Sequence, residues 1–188
     1  MVSETLPEAF IFMKVGNHAG ESFDAILERK NREWQQAGRV FWGYGGAVCH
    51  PLMQVQPFAR LYEKKDGRIY LFMEPMDSKA NPAIEPAREY SDDGVTWQPL
   101  PDGISVLGSK YALILDKIQP CEVEIGIEQY VVGIGNSRGK SAAEYLQGRV
   151  DKGCLTRASG LSSLSNPLFK RAVKFSAQLL EPYAVLLR

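Results

Sequence analysis

The sequence from Gly133 to Ser141, GIGNSRGKS, holds the residue types and spacing closest to a catalytic or phosphate-binding loop. It follows an apolar β-branched run ending at Val132 and leads into a helix-like segment. A nucleotide-triphosphate loop needs four residues between its first glycine and the Gly-Lys-Ser end, so that successive backbone N–H groups wrap the phosphates. Gly139-Lys140-Ser141 supplies that end, but Ile134 stands where the first glycine belongs. A dinucleotide fingerprint fails too, because Gly133, Gly135 and Gly139 give GxGxxxG near the end of the chain. Gly135 to Gly139, GNSRG, matches the GxSxG elbow that exposes a nucleophilic serine. In that architecture the histidine follows the serine, whereas His18 and His50 both precede Ser137. What remains is a glycine-rich turn at a helix start, either one where Arg138 and Lys140 contact an anion or phosphate or, equally, a plain strand-to-helix turn with exposed basic residues.

Cys49-His50 suggests a thiol nucleophile, but chain neighbours rarely face each other, which leaves His18 as the base. Cys49, Cys121 and Cys154 show no CxxC spacing, and the two histidines no HExxH, so neither a metal site nor another cofactor is expected. Trp42, set among glycines, and Trp97, beside a proline-rich turn, lie outside any helical core stripe. Two such indoles can form facing walls for a planar or methylated group; plain packing accounts for them equally well.

The elements that must position these groups read as follows. Residues 9–16 form a buried strand. Residues 22–37 form a helix with Phe23, Ile26, Leu27 and Trp34 on one face, Ser22 as cap and Gly38 at its exit. Pro51 opens a shorter helix that Pro57 interrupts. Strands follow in "GRIYLFMEPM", from Tyr111 to Leu115, in "EVEIGIEQYVVGI" and in the closing residues 172–188, where Pro182 marks a bend. Residues 77–94 read as a long surface loop, and 141–150 as a helix with Ala142, Tyr145, Leu146 and Val150 on one face. Strands outnumber helices without βαβ alternation, which predicts an α+β fold in a single domain over 1–188.

Composition, 45% hydrophobic and 23% charged, is that of a globular chain. No apolar run approaches the roughly 20 residues of a membrane span, and no leader-like segment opens the chain, so a cytoplasmic protein is expected. A net charge of zero argues against coating nucleic acid by counterion release alone. From Gly133 onward, however, nine Lys and Arg face three acids, a basic C-terminal extension of +6 that leaves −6 on the rest.

Three segments in order carry a resemblance. "FIFMKVGNHAGESF", with Lys14 and Asn17, resembles the opening of YTH domains and their EVE relatives in the PUA-like superfamily. "GRVFWG" is similar to the segment where these families place a tryptophan of the base-binding cage, and "TWQPLPDGISVLGSKYALILDKI" to the stretch carrying a second. The resemblance implies a curved sheet or barrel flanked by helices, and a pocket without catalytic groups for a modified base of DNA or RNA. By position, Trp42 and Trp97 would be cage walls, Lys14 and Asn17 would lie near the base, and Ile104 and Leu107 would close the apolar side. Arg138 and Lys140 would hold flanking phosphates, and a separate effector protein would read the outcome. Two alternatives stand beside this reading: a small hydrolase or transferase on a nucleotide-like substrate, using Ser137 or Cys49 with a histidine, and a protein-interaction module of the same fold.

Overall fold

The computed structural model describes residues 6–79, 85–159 and 169–188. The architecture is α+β: a large mixed sheet with few helices. Its strands are β1 (Ala9–Val15), β2 (Val40–Tyr44), β3 (Tyr70–Pro75), β4 (Glu89–Ser91), β5 (Gln98–Pro99), β6 (Tyr111–Leu115), β7 (Gln119–Gly126), β8 (Tyr130–Val132), β9 (Lys152–Arg157) and β10 (Lys170–Leu187). The main path runs β2-β6-β10-β3-β1-β9-β8, and its two ends do not pair, so the sheet is open rather than a closed barrel. β1 and β3 run parallel; the remaining pairs among the described residues are antiparallel.

β1 shows why the apolar opening becomes a central strand. Side chains alternate across a strand, so Ile11, Met13 and Val15 join one core cluster while Phe10 and Phe12 join a second on the opposite face. A strand covered on both faces reads as a continuous apolar run. α1 (Phe23–Ala37) lies beside β2, its start capped by the Ser22 side chain and its exit turned by Gly38 in the left-handed conformation. Pro51 opens a π-helical turn (Pro51–Val55) that passes directly into α2 (Gln56–Asp66), so Pro57 marks a change of helical pitch.

β10 organises the sheet. Its first half pairs with β7 along one edge and β3 along the other, and its second half with β6 and β4. The two halves meet at an irregularity between Leu179 and Ala184 that contains Pro182 and Tyr183, the latter at φ 68°. The carbonyls exposed there are satisfied by Gln56, whose Nε2 donates to Pro182 O at 2.9 Å and Ala184 O at 2.7 Å.

Several boundaries differ from expectation. Residues 80–84 of the anticipated loop lie outside the described residues, and its later part forms β4. The single strand expected through 122–134 is broken by a 3-10 turn (Ile127–Gln129) into β7 and β8. The expected helix over 141–150 is one turn, α3 (Ala142–Tyr145), because Gly148 takes φ 66° and turns the chain toward β9.

Candidate functional site

A cavity of about 330 Å³ opens where the ends of β1, β2 and β3 meet α1 and the segments leading to β6 and β9. Met13, Lys14 and the turn through His18 form one side, and Ile26, Arg29 and Lys30 reach it from α1. Trp42 and Gly43 come from β2, Met76 and Ser78 from the exit of β3, Val106 to Ser109 from the approach to β6, and Asp151 and Lys152 from the start of β9. The sheet thus brings distant segments to one place.

Trp42 is the distinctive member. It is 6% exposed, and its indole Nε1 is buried without a hydrogen-bond partner. A buried donor left unmade costs about 1–3 kcal/mol, energy that a ligand acceptor would recover only where its entry opens this solvent-closed atom. His18 supplies the complementary polarity. Its Nε2 lies 3.1 Å from the Leu107 carbonyl and donates to it, and in the neutral ring Nδ1 is then an acceptor. Apolar lining comes from Met13, Ile26, Val106 and Leu107.

Most cations around the cavity are committed to holding it together. Lys14 donates to the carbonyls of Leu146 at 3.0 Å and Val150 at 3.2 Å, and burial, then Arg171, lowers its pKa. Arg29 forks onto Glu21 at 2.6 and 3.0 Å and reaches Ser105 O. That hydrogen bond, the largest influence on Glu21, holds its carboxyl below the usual range. Lys152 meets Asp151 at 3.2 Å and lies over the Tyr44 ring. Lys30 is sealed against Glu33 and the carbonyls of Phe41 and Ser105, and burial drives its pKa down to about 8.

The residues expected to share a site divide into two groups. Lys14, Asn17, Trp42 and Leu107 line the cavity. Asn17 spends its amide on structure, with Nδ2 donating to Ser78 O at 2.9 Å and Oδ1 accepting from Phe23 N at 3.0 Å. Ile104 is buried in a third core cluster with Phe41 and Val106 and does not line the cavity. Trp97 does not reach it either; its ring stacks against Arg188 at 4.1 Å. The apolar surface facing Trp42 is therefore aliphatic rather than a second indole.

The glycine-rich stretch is a tight turn folded back on β8. Gly139 N donates to Val132 O at 2.8 Å, Val132 N to Lys140 O at 2.9 Å, and Gly135 and Gly139 both take positive φ. Arg138 and Lys140 are exposed on this turn, away from the cavity lining, and α3 behind them is a single turn. Neither candidate nucleophile has a histidine partner. His50 Nδ1 caps the π-helical turn while its Nε2 meets the Tyr111 hydroxyl at 3.2 Å, and Cys49 Sγ meets Cys154 Sγ.

The charge asymmetry is largely resolved by pairing. Arg157, Lys170, Arg171, Lys174 and Arg188 of the basic extension sit opposite Glu8, Glu124, Glu74, Glu122 and Glu89 from the acidic part. Such surface pairs contribute about 0–1 kcal/mol each, and their main consequence is a neutralised face. Arg138, Lys140 and Arg149 are exposed with no acid partner among the described residues.

No family model, curated protein or solved structure matches the chain. Among the described residues no helix is long and apolar enough to cross a membrane, and no cluster of histidine, cysteine and acidic side chains is suited to a metal ion. Among the charged residues lining the cavity, Arg29, Lys30, Asp151 and Lys152 carry no site signal in the sequence motifs. A signal existed for one of them: Lys30 and Glu33 share the inner face of α1 with Ile26, an ion pair set in an apolar stripe.

Proposed function

We propose that the chain is a non-enzymatic reader of a modified nucleobase in DNA or RNA, of the PUA-like, EVE- or YTH-like kind, and that it acts beside a separate effector. The observation that carries the reading is the buried, unpartnered Trp42 N–H in the wall of a half-open cavity. A flipped base has the required size, an apolar face and an edge with adjacent acceptor and donor atoms, and recognition of an extruded base commonly combines edge hydrogen bonds with stacking or apolar packing. Trp42 N–H and His18 Nδ1 supply a donor and an acceptor, and the aliphatic surface of Val106 and Leu107 accommodates a methyl group. Arg149, exposed two residues before the cavity-lining Asp151, would meet a flanking phosphate, with Arg138 and Lys140 as further contacts on this reading. One methyl group separates modified from unmodified base by about 1–3 kcal/mol.

Titration of oligonucleotides bearing N6-methyladenine, 5-methylcytosine, 5-hydroxymethylcytosine or no modification, followed by tryptophan fluorescence, tests this. Modification-dependent quenching in the wild type, together with weaker binding of the same labelled oligonucleotide by Trp42→Phe in fluorescence anisotropy, supports the reading. Identical response to every oligonucleotide removes it.

A further inference from the structure

Cys49 and Cys154 are 105 residues apart in the chain, and their Sγ atoms stand 3.2 Å apart. Both side chains are buried, Cys49 at 5% exposure and Cys154 at 1%. Cys154 is fixed within β9 by pairing with Ile11 of β1. Cys49 ends the turn that leaves β2; its backbone is left-handed at φ 51°, and its carbonyl accepts the Tyr44 hydroxyl at 2.7 Å. Two independent elements thus deliver the sulfurs to each other. A disulfide bond is about 2.05 Å long, so closure asks for a movement of about an ångström, which the turn before Cys49 can make more readily than β9.

We propose that Cys49 and Cys154 are a dithiol redox site that hydrogen peroxide converts reversibly into an intramolecular disulfide. The two sulfurs have different roles. Cys154, the more buried, has its thiol pushed up by burial; Cys49 is held below the ordinary thiol range, first by the hydrogen bond from Cys154, with Lys152 assisting. Thiolate character and access decide which cysteine meets an oxidant first. Cys49 therefore attacks the peroxide oxygen, breaking the O–O bond and giving Cys49–SOH and water. The Cys154 sulfur then attacks Cys49 Sγ, displacing the hydroxyl as a second water. Two electrons pass from the two cysteines to the peroxide, and the two thiol protons leave in the waters. A small-molecule dithiol restores both thiols by exchange.

The site touches the cavity without being part of it. Lys152, which lines the cavity, precedes Cys154 by two residues on β9, and Gly45 of the cavity wall opens the turn that ends at Cys49. The redox chemistry stands whether or not the cavity receives a base.

The test treats the full chain with hydrogen peroxide, blocks remaining thiols by alkylation and maps the peptides by mass spectrometry. Expected are the loss of two hydrogens, a crosslinked peptide joining Cys49 to Cys154 with Cys121 outside it, and reversal by dithiothreitol. In Cys154→Ser the sulfenic acid at Cys49 persists and is trapped by dimedone, while Cys49→Ser forms no crosslink. Full alkylation of Cys49 and Cys154 after peroxide, or a disulfide through Cys121, overturns the proposal. The wild-type map decides the matter even where a variant fails to fold.

Discussion

Lys30 and Glu33 face each other one turn apart on α1, with Nζ 2.9 Å from Oε2 and both side chains closed to solvent. Each also holds the neighbouring chain: Lys30 donates to Phe41 O and Ser105 O, and Glu33 accepts from Phe41 N and Ser105 N. Lys30→Met leaves a buried carboxylate without its cation and is expected to cost about 3–5 kcal/mol. Urea unfolding measures it. Adding Glu33→Leu should not restore stability, because Phe41 N, Phe41 O and Ser105 N would then lose their partners, Ser105 O alone keeping the Arg29 guanidinium.

The same lysine gives stability a defined pH dependence. Its folded pKa, about 8, lies below its ordinary 10.5 because burial disfavours the ammonium. Between these values the unfolded chain binds more protons than the folded one, so this group's contribution rises with pH across that window and is flat below it. The difference in unfolding free energy between wild type and Lys30→Met should widen from pH 8 to pH 10. A narrowing difference would mean that the ammonium is favoured in the fold.

Trp42→Phe keeps an aromatic ring in the cavity wall and removes the unpartnered N–H. Stability should change by less than about 1 kcal/mol, since a buried unsatisfied donor disappears while some apolar contact is lost. Affinity for the modified oligonucleotide should fall about tenfold, a loss of ~1.4 kcal/mol. Trp97→Ala should leave affinity unchanged, because that ring stacks on Arg188 outside the cavity. Anisotropy of a dye-labelled oligonucleotide, which does not depend on the indole that is removed, separates these outcomes in the two variants.

Gly16 follows β1 at the rim of the cavity, and a Cβ there would collide with Ser78 Oγ and stand 2.8 Å from Met76 O. Gly16→Ala must displace the strand exit that carries Met76 and Ser78. Overpacking of this kind costs about 1–3 kcal/mol. Calorimetry should show a lowered Tm, and the displaced wall should weaken ligand binding in the same variant.

Gln56 is the plug beneath the irregularity of β10. Gln56→Leu preserves much of its volume and removes both hydrogen bonds to Pro182 O and Ala184 O, leaving two carbonyls unmade. A loss of about 1–3 kcal/mol is expected. Hydrogen exchange should rise first at the amides around residues 181–184, before the rest of the sheet opens.

The elements with strong periodic signals were legible in the chain. β1, α1 and β6 each follow an apolar pattern that one face or both faces of the fold use directly. β9 was not, because Lys152, Gly153 and Cys154 have little strand character of their own and become a strand through pairing with β1 and β8. The cavity was half legible. Lys14 reaches it from the strand in which it was read and Trp42 from β2, legible only as a short apolar segment among glycines, whereas the role given to Trp97 depended on a contact that sequence does not display. Its partner, Arg188, lies 91 positions away and is delivered by β10. The basic extension misled for a similar reason: its partners are acids from the other part of the chain, and only the folded sheet sets them opposite one another.

β10 is also a statement about time. β3, β6 and β7 are synthesised long before the strand between them, and each keeps an unpaired edge until residues 170–187 leave the ribosome. Pairings of such large sequence separation form slowly, because chain closure costs entropy before the contacts repay it. Until then β3 has only β1 beside it, β6 only β2, and β7 no partner strand among the described residues, so a chaperone or a second nascent chain can compete with β10 for each open edge.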